Sequence, residues 1–340
     1  MINSVKEKFD LIKRNTEEII GEGELVSLLE KKKKPVVYLG TAITGSPHVG
    51  YFLWAMKLAD FAKAGFEVKI LLADVHGALD NTPWEILGKR YKYYEKVIPL
   101  LFEALNASKK QIKFVKGSDF QLSKNYLLDL MKLSTHVSVH DAMKSASEVV
   151  KMGENPKVGG LIYPLMQALD EEYLKVDVQY GGLDQRKIFV LASEILPKIG
   201  YEKRIHVMTP LLPGLTGIKM SSSDPKSKID VLDDEETVNS KIKNAECEIG
   251  NPENGIMAFL KHVIFVLKKD NKEKFVVERD KKYGGNLVYG NYEELEKDFV
   301  SRKLHPLDLK NALSREVNVL LKPLRKNRKE LIKLYGEAYS

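Results

Sequence analysis

Apolar residues along this chain follow two periods. Short β-branched runs read as buried strands, the first of them "PVVYLG" at 35–40. A longer stretch, "VGYFLWAMKLADFAKAG" at 49–65, puts its apolar residues at helical spacing and stops at Gly65, a natural helix end. "FEVKILLAD" at 66–74 returns to a strand pattern. Strand, helix and strand in that order predict a βαβ unit, hence a parallel sheet with a right-handed crossover. The alternation continues through a helical pattern at 83–105 and a strand and turn at 112–120. Upstream, "MINSVKEKFDLIKRNTEEII" carries acids among its bases and apolar residues at helical spacing. It predicts an amphipathic helix, not a signal or transit peptide.

From about Gln121 to Gln167 the rhythm breaks into mostly helical pattern, which reads as an insertion. The sheet resumes with strand patterns at 175–182 and 204–210 around a helix at 184–196. "LLPGLTGIKMSSSDPKSKID" at 211–230 concentrates Gly, Pro and Ser and predicts a mobile loop and a domain boundary. Beyond it the patterns are helical with little strand between them. The expected architecture is α/β. A Rossmann-like parallel sheet with a helical insertion at 121–167 occupies 1–230, and a mostly α-helical C-terminal domain occupies 231–340.

Composition narrows the class. The 340 residues are 44% hydrophobic and 30% charged, enough for one large domain and a smaller one. The single cysteine, Cys247, excludes an internal disulfide and suits a reducing compartment. No apolar run approaches the roughly 18 residues of a membrane span. A soluble cytoplasmic protein with no membrane partner is expected. The net charge of +7 points mildly to polyanions. Six of the bases fall in "LKPLRKNRKELIK" at 321–333, against one acid.

Two loops carry candidate chemistry. After the first strand comes "TGSPHVG" at 44–50, at the carboxyl edge of a sheet and the mouth of a helix. Its glycines do not match a dinucleotide fingerprint, and no P-loop occurs. Gly lets a backbone approach a ligand, a helix N-terminus attracts phosphate, and His48 adds a donor. The plainer reading is a histidine that caps its own helix. "GIKMSSS" at 217–223 offers Lys219 and serines to a leaving pyrophosphate; alone, it reads equally as a solvated linker. A third signal is spacing: Tyr163, Gln167 and Asp170 stand four and three apart, so one helix face presents all three. His136 and His140 are four apart, but two ligands are not a metal site.

"PHVG" at 47–50 and "KMSSS" at 219–223, in this order and on this topology, resemble the two signatures of class I aminoacyl-tRNA synthetases. Tyr51 and Ser222 depart from the family consensus at its second histidine and second lysine. The stretches "YLGTAITGSPHVGYF", "LLADVHGALDN", "LIYPLMQALDEEYLKVDVQYGGLDQRKIF", "PGLTGIKMSSS" and "HPLDLKN" resemble the tyrosine-specific branch of eukaryotes and archaea, across nearly the whole chain. The resemblance implies ligation of L-tyrosine to tRNA(Tyr) with ATP. It assigns Tyr38 and Asp170 to the phenol hydroxyl, and Tyr163, Gln167 and Gln185 to the ammonium and carboxylate. ATP falls to Gly40, His48, Gly50, Gly182, Asp184 and Lys219, with His48, Lys219, Ser221 and Ser222 catalytic. Tyr283 and Asp308 would read the first anticodon base, and the basic run around Arg325 would meet phosphates. The insertion would form a homodimer interface and an acceptor-stem platform. Mg2+ would arrive with ATP, held by the phosphates and by no dedicated protein site.

Overall fold

The computed structural model describes residues 4–108, 110, 112–150, 152–217 and 227–339. Six strands form one sheet: β1 (Glu18–Ile20), β2 (Val36–Ala42), β3 (Glu67–Ala73), β4 (Ile112–Lys116), β5 (Val178–Gly182) and β6 (Ile205–Thr209). Their order is β1-β6-β5-β2-β3-β4. The strands from β2 to β6 run parallel, as the βαβ pattern predicts. β1 is antiparallel to β6 and corrects the N-terminal expectation. Helix α1 (Val5–Lys13) begins with a capping box between Ser4 and Glu7. It does not reach Ile20, because Asn15 takes a left-handed conformation (φ 53°) and the chain turns into a sheet edge.

Helices α2 (Glu22–Lys31), α3 (Tyr51–Lys63), α4 (Asp74–Leu79), α5 (Trp84–Ala104) and α6 (Ser118–Gln121) connect the first strands. The insertion supplies α7 (Lys124–Ser134), α8 (Val139–Ala146) and α9 (Val158–Tyr173), and α10 (Arg186–Ile195) follows β5. Strand side chains alternate between faces. Val37, Leu39, Val68 and Ile70 pack with residues of α3 and α5 on one face. Tyr38, Leu71 and Ala73 point to the other, where α9 lies. From β2 the chain moves outward to β3 and β4, then returns on the far side with β5. The crevice at the carboxyl ends of β2 and β5 is therefore the switch point where open α/β sheets take ligands.

After the sheet come α11 (Glu235–Asn244), α12 (Gly255–Phe259), α13 (Phe265–Asn271), α14 (Tyr292–Val300), α15 (Pro306–Leu320), α16 (Lys322–Lys326) and α17 (Arg328–Tyr339). A hairpin of β7 (Phe275–Val277) and β8 (Leu287–Tyr289) interrupts them. α16 and α17 lie along α5, and one apolar cluster runs from α3 and α5 into this helical region. Polar ties reinforce it. Arg14 grips Asp60 on α3 (Nε–Oδ2 2.7 Å) and Asp270 on α13 (Nη1–Oδ1 2.6 Å). Buried Lys57 on α3 donates to the carbonyls of Ile12 (2.7 Å) and Arg14, which fastens the end of α1. Arg325 is also engaged internally. It donates to Asn318 Oδ1 (2.6 Å) and to the Asp233 carbonyl (3.3 Å), so the exposed bases of the run are its neighbours Lys322, Lys326, Arg328, Lys329 and Lys333.

Candidate active site

The loop between β2 and α3 is held by its carbonyls. Arg90 on α5 donates to Ile43 O (3.3 Å) and to Thr44 O. Tyr94 donates to Gly45 O, and Lys228 to Ser46 O (3.3 Å). Val49 N–H bonds to Ile229 O (3.0 Å), so the loop docks on the segment at 227–231. The backbone around His48 is thus held in place. His48 Nδ1 accepts from Gly50 N–H (3.2 Å), which leaves the proton on Nε2. Burial, reinforced by the Lys228 charge, lowers its pKa to about 3. The plainer reading of His48 is met locally, since Nδ1 accepts from the turn, and Nε2 remains a neutral donor. Arg90, Tyr94 and Lys228 carry no local sequence signal. Their role depends on α5 and the 228 segment arriving beside the loop.

A cavity of about 1240 Å³ opens at the switch point. All ten of the sequence-predicted residues from Tyr38 to Gln185 line it: Tyr38, Gly40, His48, Gly50, Tyr163, Gln167, Asp170, Gly182, Asp184 and Gln185. Asp170 is only 1% exposed. It accepts from Gln121 Nε2 (2.8 and 3.0 Å) and from Tyr126 OH (2.8 Å). Burial raises its pKa to about 8 against the pull of those donors, and Glu171 adds to the rise. Tyr38 OH accepts from Gln179 Nε2 (2.5 Å) and donates to the Gln167 carbonyl (3.2 Å). Burial, then Asp170, push its phenol pKa well up. Gln167 and Gln185 bond to each other (3.1 Å). His76 lies edge-on to Tyr163 (4.6 Å) and places Nε2 3.8 Å from Asp170 Oδ2. Gln121, Tyr126 and Gln179 escaped the sequence reading, since nothing local marks a buried amide or phenol as a partner of Asp170 or Tyr38.

Gly181 and Gly182, at the end of β5, make room for the protein's own side chains. A Cβ on Gly181 would stand 2.8 Å from Gln185 Cγ, and one on Gly182 2.6 Å from Asp184 Oδ1. The room they leave seats the protein's own Asp184 and Gln185. At Gly40 a Cβ would meet Tyr38 and Leu71 only at ordinary contact distance, so the open side is the cavity. Lys219, Ser221 and Ser222 lie outside the described residues. Tyr283 is 65% exposed on the β7–β8 loop, with Lys282 over its ring. Asp308 stands in the first turn of α15. Arg279 ties the two regions by donating to Gly285 O (3.1 Å) and Lys303 O (3.3 Å). Among the described residues, no three His, Cys, Asp or Glu gather in a metal-binding group.

A mostly parallel sheet with its cavity at the switch point is the architecture of an open α/β ligand-binding domain. The family model of class I tRNA synthetases (W and Y) matches residues 30–322, and the chain belongs to that family. Within it the chain falls with the tyrosyl-tRNA synthetases of eukaryotic and archaeal type. It is 52% identical over 339 residues to the cytoplasmic tyrosine–tRNA ligase of Gallus gallus, covering 98% of this chain and 63% of that one. The tyrosine–tRNA ligase of Natronomonas pharaonis is 45% identical, over 98% of this chain and 97% of its own. The crystal structure of tyrosyl-tRNA synthetase with L-tyrosine from Archaeoglobus fulgidus superposes with a TM-score of 0.88 at 42% identity, covering 96% of this chain and all of that one. This chain therefore spans less than two thirds of its vertebrate relative's length and nearly all of the archaeal ones.

Proposed function

We propose that the chain activates L-tyrosine with ATP to tyrosyl-adenylate and pyrophosphate, then transfers tyrosine to the 3′ end of tRNA(Tyr), in the cytoplasm. The observation that carries this reading is the buried Asp170, braced by Gln121 and Tyr126, in one cavity with Tyr38, His48 and Asp184. A carboxylate beside a phenol is a reader for an aromatic hydroxyl. Tyr163, Gln167 and Gln185 would take the ammonium and turn the carboxylate toward the α-phosphate. Gly40 and Gly50 would let ATP approach the backbone, Gly182 would seat Asp184, and Asp184 would hold the ribose. The substrate carboxylate is itself the nucleophile, so no residue need act as general base. Catalysis is positioning and charge stabilisation. His48, kept neutral, would donate from Nε2 to a phosphate oxygen. Cationic stabilisation would fall to Lys219, aided by Ser221 and Ser222, and to Mg2+ carried in by ATP.

Residues 1–230 would form the catalytic domain and 231–340 the anticodon-binding domain, where Tyr283 stacks on a base and Asp308 reads its edge. The insertion at 121–167 would be the homodimer interface and acceptor-stem platform. Leu122, Leu128, Met131 and Val139 are each more than half exposed there, an apolar surface suited to a partner. The test is ATP–pyrophosphate exchange across all twenty amino acids, then charging of tRNA(Tyr). Tyrosine-dependent exchange supports the reading. Exchange with tryptophan would move the chain to the sister specificity, and RNA binding without exchange would make it a non-catalytic module.

A further inference from the structure

Beneath the hydroxyl reader lies a polar row of which the chemistry above uses only Tyr38. Sheet register aligns Lys69 (β3), Tyr38 (β2), Gln179 (β5) and His206 (β6) in one row across four strands. Residues in register share a face, here the face that carries α9. Three of the four bond to α9 or its end. Lys69 Nζ donates to Leu174 O (2.6 Å), Tyr38 OH to Gln167 O (3.2 Å), and His206 Nε2 pairs with Glu171 Oε1 (2.7 Å). The fourth, Gln179, bonds to Tyr38. His206 is held flat on Phe189 (4.8 Å, 16° between planes).

Glu171 and His206 are both 0% exposed. Glu171 Oε2, His206 Nδ1 and Gln179 Oε1 are buried without a hydrogen-bond partner. Partly satisfied buried polar groups cost stability, and an apolar pair of similar volume would serve the fold as well or better. Stability therefore does not account for the row. Its geometry does. Glu171 follows Asp170 directly on α9, so a bond from Glu171 to β6 fixes the rotation of the helix that presents Asp170. Gln179, adjacent to His206 in the sheet, fixes the Tyr38 oxygen from below.

We propose that Glu171, His206 and Gln179 are positioning residues for hydroxyl recognition. They set the spacing of Asp170 and Tyr38 without touching the amino acid. This rests on the tyrosine-ligase reading above. The test is the apolar double variant E171M/H206F, compared with E171Q and Q179L, in exchange assays with tyrosine and phenylalanine. The expected result is a tyrosine-to-phenylalanine ratio of kcat/KM lowered about tenfold or more in E171M/H206F and Q179L, and about threefold in E171Q. The KM for ATP and the melting temperature should hold in the double variant. A ratio within twofold of wild type in the folded variants overturns the inference. So does a joint rise of the tyrosine and ATP KM values, the mark of a merely structural role. If E171M/H206F does not fold, E171Q and Q179L decide. Absence of tyrosine exchange in the wild-type chain would instead sink the functional reading itself.

Discussion

Replacing Asp170 with Asn tests the hydroxyl reader most directly. The fold should tolerate the change. The new amide nitrogen would face Gln121 Nε2, but Gln121 Oε1 is buried without a partner. A flip of the Gln121 amide turns that oxygen into the needed acceptor, and Tyr126 keeps its bond to the remaining oxygen. The kinetic effect depends on which form of Asp170 meets the phenol. With its pKa raised to about 8, the carboxyl is mostly neutral at pH 7 and mostly ionised at pH 9. A neutral hydrogen bond contributes about 0.5–1.5 kcal/mol and one to a charged group about 1.5–3 kcal/mol. Asp170→Asn should therefore lower kcat/KM for tyrosine about 2- to 10-fold at pH 7 and about 10- to 150-fold at pH 9. Wild-type kcat/KM for tyrosine should climb between those values and the variant's should not. Phenylalanine shares the ammonium and carboxylate but not the hydroxyl, so its exchange rate controls for every other titration. A tyrosine-to-phenylalanine ratio that stays constant with pH, or survives the substitution, would refute the assignment of Asp170.

Four further outcomes follow from the same geometry. Gly182→Ala puts a Cβ 2.6 Å from Asp184 Oδ1, so the KM for ATP should rise several-fold in exchange assays while that for tyrosine holds. Lys219→Ala should lower the single-turnover rate of adenylate formation far more than tyrosine affinity, read by stopped flow. Arg14→Met strips the partner from Asp60, 1% exposed, and should lower stability in urea by about 3–5 kcal/mol; adding Asp60→Asn should restore most of it. Acid should destabilise the fold below pH 6.5, because burial lowers His48 to about 3 and His76 and His262 to about 4. The unfolded chain then binds more protons, and stability is lost as pH falls. Asp170 and Asp60, both raised by burial, act in the opposite direction, two groups against three. His262→Gln should recover about 1–2 kcal/mol of the loss at pH 5, the lower figure reflecting its partial exposure.

What could be read from the sequence was what repeats or stands close together. The βαβ alternation, the helix at 49–65 and the face shared by Tyr163, Gln167 and Asp170 are local, and all three match elements of the structure. The edge strand β1 was hidden because three residues after a left-handed Asn15 carry too little pattern to outweigh the helix before them. The support of Asp170 was hidden for another reason. Gln121 stands 49 residues away and Tyr126 44 away, and only the docking of α6 and α7 against α9 brings them in. Arg325 shows what a basic run does not reveal: its internal partners, Asn318 and the Asp233 carbonyl, come from other elements.

The cavity wall is built mainly from groups that are neutral or already engaged. His48 is held uncharged, and Tyr38 and Gln167 bond to other parts of the protein. Arg90, which also lines the cavity, is bonded to the loop carbonyls at 43 and 44, and Lys228 to that at 46. These two cations hold the loop, so their attachment to carbonyls limits how far they could move toward a leaving pyrophosphate. A site arranged this way can bind and align a zwitterion and a nucleotide with little reorganisation. It would still need a cation that arrives with the chemistry. Lys219 and Mg2+ on the phosphates are the two that the proposal supplies. Under that proposal, division of labour between an aligning pocket and a separately supplied charge would explain how a reaction without a general base can be selective. On the proposed reading, selectivity would be set by Asp170 and Tyr38 before any bond changes, and rate by charge placed where the phosphates separate.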